Sequence, residues 1–158
     1  MKTASVKEIK TELERTPPQA LLQYCLRLVK FKKENKELMT YLLFEAGDES
    51  SYVKSVHELL GELFLTVNKT NVYFAKKTLR KIIRTANRYI KYSDAETTAP
   101  DILIFVCENF LELGLNLKKN TALLNLYLSQ VKKIKKATDA MHEDMQYDYL
   151  KIIERLEL

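Results

Sequence analysis

Apolar side chains recur every third or fourth position along most of this chain, the period of helices that each turn one face to a neighbour. The clearest run is Val53, Val56, Leu60, Leu63 and Val67, which steps by 3, 4, 3 and 4 residues. Ala75, Leu79, Ile82, Ala86 and Ile90 form a second stripe. Leu123, Leu124, Tyr127, Leu128, Val131 and Ile134 form a third, and Met141, Met145, Tyr149, Ile152, Ile153 and Leu156 a fourth. Upstream, Val6, Ile9 and Leu13 share one side of a short helix. Leu21, Leu22, Cys25, Leu28 and Val29 mark the buried side of another, and Leu38, Leu42 and Phe44 that of a third.

Starts and stops fall between these runs. Ser5 followed by Glu8 is a capping box, in which each side chain satisfies the other's backbone N–H. Thr16 before Pro17 and Pro18 restarts the chain, since a proline in the first turn loses no needed hydrogen bond. Asn35 is expected to open the third helix and Gly47 to end it in a left-handed turn. Ser50 or Ser51 opens the fourth, Thr70 or Asn71 the fifth, Pro100 the sixth, and Asn120 or Thr121 the seventh. Thr138-Asp139 either bends or breaks the last segment. Gly61 stands inside the fourth helix, where it costs roughly 1 kcal/mol against alanine, so close approach of another helix is expected there.

With only three glycines and three prolines in 158 residues, the chain is poor in turns, which favours long helices over sheet. The fold expected is all-α: one domain over residues 1–158 with seven to eight antiparallel helices. They stack as a short right-handed α–α superhelix or fold as an irregular helical bundle. At the level of fold alone this pattern looks like HEAT and armadillo helical-repeat proteins. Pro18 precedes Cys25, and Pro100 precedes Cys107, by the same seven positions, a faint echo consistent with two related helical units. The start of the chain is polar, and the longest apolar run, Ile102 to Cys107, is far short of the ~20 residues a spanning helix needs. No transmembrane segment is therefore expected. Cys25 and Cys107 read as small buried hydrophobes in a reducing, cytoplasmic setting.

Charge adds the one feature with a functional edge. Between Glu62 and Asp94 there is no carboxylate, yet Lys69, Lys76, Lys77, Arg80, Lys81, Arg84, Arg88 and Lys91 all fall there. The chain as a whole is +5; without those eight cations, the remaining 18 basic and 21 acidic residues leave −3. At 100° per residue, Lys77, Lys81, Arg84, Arg88 and Lys91 occupy a stripe about 80° wide, with Lys76 and Arg80 on its shoulder. Tyr73 and Tyr92 lie at or beside this ridge. Cationic forks and flat rings suit an anionic partner. The plainer alternative is a solvated helix face whose charge is met by Asp94, Glu96, Asp101, Glu108 and Glu112. The Lys132-Lys133-Ile134-Lys135-Lys136 cluster complements the negative end of its own helix.

Catalytic patterns are missing. His57-Glu58 begins like a zinc-protease helix, but Gly61 stands at the second histidine's place, and Gln146 does the same for His142-Glu143. Neither cysteine belongs to a Cys-x-x-Cys pair, and Gly47, Gly61 and Gly114 are too scattered for a phosphate loop. No catalytic residue, metal site or cofactor is expected. The function expected is a non-catalytic interaction or scaffold protein that binds an anionic or protein partner through the basic helix at 69–92. Tyr73, Lys77, Lys81, Arg84, Arg88 and Lys91 are its binding residues. Non-specific nucleic-acid binding by the same helix is the alternative, and an enzyme with an unrecognised pocket is the third reading.

Overall fold

The computed structural model describes residues 2–157, and among these the chain is all-helical. The helices are α1 (Val6–Arg15), α2 (Pro18–Phe31), α3 (Lys33–Thr40), α4 (Glu49–Leu65), α5 (Val72–Ile90), α6 (Thr98–Glu112), α7 (Thr121–Asp139) and α8 (Glu143–Leu156). A π-helical turn, Tyr41–Glu45, follows α3. The chain divides into two compact units, Met1–Phe44 and Glu45–Leu158.

In the first unit α1 begins with the expected capping box: the Ser5 N–H donates to Glu8 Oε2 at 2.7 Å, and the Glu8 N–H to Ser5 Oγ at 3.3 Å. Thr16 does not cap α2. Its hydroxyl donates back to the Glu12 carbonyl at 2.8 Å, and α2 starts at Pro17-Pro18 without a side-chain cap. Nor does Asn35 open α3, which begins at Lys33. Its amide donates 2.8 Å to the Leu28 carbonyl, closing the end of α2 instead.

Helices α2 and α3 pack on each other, but α1, α2 and α3 contain no buried residue. Leu22, Leu28, Leu42 and Phe44, expected inside, are exposed, Phe44 by 79%. Apolar period reports which side of a helix seeks a neighbour, and a unit this short has too little chain to enclose that side.

The second unit holds the core. Each helix from α4 to α8 packs on its neighbours in sequence, and α4 with α6, α5 with α7, and α6 with α8 also touch. Hydrogen bonds fix the directions. Tyr52 near the start of α4 donates its hydroxyl 2.8 Å to the carbonyl of Tyr89 at the end of α5. Tyr127, early in α7, donates 2.7 Å to the carbonyl of Leu156 at the end of α8. These pairs are antiparallel, as short links dictate. Thr98 at the start of α6 bonds Glu49 at the start of α4, so those two helices run the same way.

The core is built from the expected stripes. Val53, Val56, Leu60, Ala75, Leu79, Ile82 and Ala86 are buried, and so are Leu123, Tyr127, Val131 and Ile134. Burial of this kind contributes roughly 25 cal/mol per Å² of apolar surface removed from water.

Caps decide the boundaries. Asp48, and neither Ser50 nor Ser51, opens α4, accepting the Ser51 N–H at 3.0 Å. Asn71 accepts from the N–H groups of Tyr73 and Phe74, and Asn120 from that of Leu123. The α7–α8 segment is broken at residues 140–142, and His142 caps α8. Gly114, at φ +68°, supplies the left-handed turn after α6, whereas Gly47 does not have a positive φ. A Cβ at Gly61 would meet Phe105 Cζ at an ordinary 3.8 Å, so helix approach does not demand glycine there.

Candidate anion-binding groove

Asn71 and an acid-free run of helix formers place α5 so that Ala75, Leu79, Ile82 and Ala86 face the core. The opposite side then turns outward by geometry alone. Lys77, Lys81, Arg84 and Lys91 are exposed, as are Arg80 and Tyr73, the latter by 67%. None of these five cations pairs with a carboxylate among the described residues. The acids expected to quench them are otherwise placed: Asp101 accepts the Tyr149 hydroxyl at 2.6 Å, while Asp94, Glu96, Glu108 and Glu112 are exposed.

One residue of the expected site, Arg88, and the neighbouring Tyr92 sit apart from this group. Arg88 is half-buried, its guanidinium 5.2 Å from the Tyr89 ring centre, and it is already engaged within the fold. Tyr92 is buried and stacks edge-on against Tyr89 at 5.6 Å.

The ridge is concave on one flank. Tyr73, Lys76, Lys77, Arg80, Ile83 and Arg84 from α5, with Leu126 from α7, line a groove of about 570 Å³. Further along, Lys133 Nζ of α7 donates 2.9 Å to the side-chain oxygen of Asn87. Leu126 shares the groove with residues 73–84 of α5 and Lys133 reaches the next turn at Asn87, so α5 and α7 run parallel, with a lysine of α7 beside the far end of the groove. Lys76, Arg80, Leu126 and Lys133 were not singled out from the sequence as binding residues. The first two stand on the shoulder of the wheel, where a signal existed. The last two lie on α7, which no local pattern places next to α5.

His57 and Cys107 are held within the packing of the second unit. His57 on α4 lies half-buried with its ring stacked on Phe105, 4.3 Å between centres and 7° between planes. Burial lowers its pKa; a hydrogen bond to the Asp101 backbone and the charges of Asp101 and Glu108 oppose this. The native state therefore holds His57 neutral where the unfolded chain would protonate it, so stability falls as pH drops through the ordinary value of about 6.5. We expect the urea midpoint of the parent protein to fall relative to that of His57→Phe between pH 7.5 and 5.5; a constant difference would show that His57 does not titrate this way.

Burial likewise pushes the Cys107 thiol up to about 12, away from any reactive thiolate. Cys25, only partly covered, is free, as is Cys107. Among the described residues no cluster of three or more His, Cys, Asp or Glu side chains is arranged to hold a metal ion, and no helix is long and apolar enough to cross a membrane. No protein-family model, curated protein or solved structure matches this chain.

Proposed function

We propose that this chain is a non-catalytic interaction protein that binds an anionic partner through α5. The observation that carries this reading is the row of exposed cations on one helix, Lys77, Arg80, Lys81, Arg84 and Lys91, which meet no carboxylate among the described residues, beside a groove with no carboxylate among its described lining residues. Charge collected on one face and left unneutralised by the molecule raises the local concentration of opposite charge and speeds encounter with it.

The test is a triple reversal, Lys77→Glu, Lys81→Glu and Arg84→Glu. All three side chains are exposed, so the fold should change by no more than about 0.5 kcal/mol per site, which circular dichroism and a melting curve check. Binding of polyglutamate, heparin and oligonucleotides at low salt is then compared with the parent by fluorescence anisotropy. We expect the parent to bind at least one of these and the variant to bind it about a hundred-fold more weakly, with a flatter salt dependence. Equal affinities in parent and variant would remove α5 as a binding surface.

A further inference from the structure

Resting on that reading, we infer that the α5–α7 groove holds a single strand of nucleic acid, with phosphates along the cations and a base against Tyr73. Three features separate this ligand from other anions. The first is the chemistry of the lining. Lys76, Lys77, Arg80 and Arg84 offer charged donors, and no lining residue is a carboxylate. A sugar-phosphate strand presents anionic oxygens at every step. An acidic peptide also brings backbone N–H donors, for which these four side chains have no acceptor.

The second is spacing. Lys76, Arg80 and Arg84 follow one another at four-residue steps, about 6 Å along the axis, so each turn brings a new charge to a strand laid along it. The row continues past the groove: Lys133 of α7 stands at Asn87, a turn beyond Arg84.

The third is an aromatic at the opposite end. Tyr73 lines the groove and is 67% exposed, and Phe74 beside it, 5.5 Å away and edge-on, is 52% exposed. Large rings left in water beside a row of cations have the composition of a stacking platform, which a single strand can use and a closed duplex cannot. A flat lipid leaflet fits a concave groove poorly.

The groove's four cations set the salt signature. At about 0.7 counterions per phosphate on a single strand, log K should fall against log salt with a slope near −3. The experiment uses the full chain and four fluorescent probes: a twelve-nucleotide uridine strand, the matching thymidine strand, a blunt twelve-base-pair duplex and polyglutamate of equal charge. We expect either single strand to bind at least ten-fold more tightly than duplex or polyglutamate. Tyr73→Ala should weaken strand binding about ten-fold, within the range of one lost base stack, and leave polyglutamate unchanged. Tyr73→Phe should restore it, since stacking needs the ring and not the hydroxyl. Arg80→Gln with Arg84→Gln should weaken both ligands and flatten the slope.

If polyglutamate binds as well as the strands and Tyr73→Ala affects neither, the anionic reading of α5 stands and the nucleic-acid inference falls. Preference for duplex over single strand also overturns the inference. If no probe binds the parent protein, both are lost.

Discussion

Phe110→Ala is expected to destabilise the second unit by about 3–5 kcal/mol, a large part of the roughly 5–15 kcal/mol that holds a domain of this size together. Phe110 sits near the end of α6, only 1% exposed, and meets the Tyr127 ring of α7 edge-on at 5.6 Å and 73°. Truncation removes the ring's transfer free energy and leaves a void between helices that cannot collapse without parting α6 from α7. The measurement is urea unfolding followed by far-ultraviolet circular dichroism. A loss below 1 kcal/mol would mean that the α6–α7 contact is looser than described. Phe44→Ala is the internal comparison: that ring is 79% exposed, and its removal should change stability by no more than about 0.5 kcal/mol.

Tyr127→Ala should cost a similar amount, about 3–5 kcal/mol, but from two separable sources. Tyr127 is fully buried, and its hydroxyl donates 2.7 Å to the carbonyl of Leu156, the last residue of α8. Desolvation holds that phenol protonated well past its ordinary pKa, so it remains a donor throughout the physiological range. Tyr127→Phe keeps the ring and removes only the donor, leaving a carbonyl without its partner; its expected cost is about 1–2 kcal/mol. A double-mutant cycle with Phe110→Ala should return a coupling of about 0.5–1.5 kcal/mol for the ring pair. If Tyr127→Phe matched Tyr127→Ala, the hydroxyl and not the ring would dominate, and the packing account of this corner would be wrong.

The parts of this molecule that were legible from its sequence are those set by near neighbours in the chain. The split of α5 into a buried side at Ala75, Leu79, Ile82 and Ala86 and a cationic side at Lys77, Lys81 and Arg84 follows from helical rotation, and both sides lie where it puts them. The Ser5–Glu8 box and the Asn71 and Asn120 caps are equally local. The α4 start was misplaced: Ser50 or Ser51 was expected there, and the Asp48 carboxylate caps the helix instead. It accepts both the N–H and the hydroxyl of Ser51, which a serine at position 50 could not do from inside the turn.

The groove was not legible, because it needs Leu126 to meet a helix about fifty residues earlier in the chain, and no periodicity encodes that distance. The open faces of α1 to α3 escaped for a related reason. Val6, Leu22 and Leu28 alternate with polar residues just as core positions do, and the pattern is the same whether or not a neighbour covers them.

The acid-free character of α5 bears on the stability of the helix itself. Lys76 and Arg80, Lys77 and Lys81, Arg80 and Arg84, and Arg84 and Arg88 are like charges one turn apart, each pair unfavourable by roughly 0.2–0.5 kcal/mol in dilute buffer. The helix thus folds against repulsion among its own side chains, held by the packing beneath it. Counterions lessen that repulsion, and a bound polyanion would lessen it further, so occupancy and thermal endurance become linked quantities. If a polyanion binds there, the melting temperature should rise with its concentration.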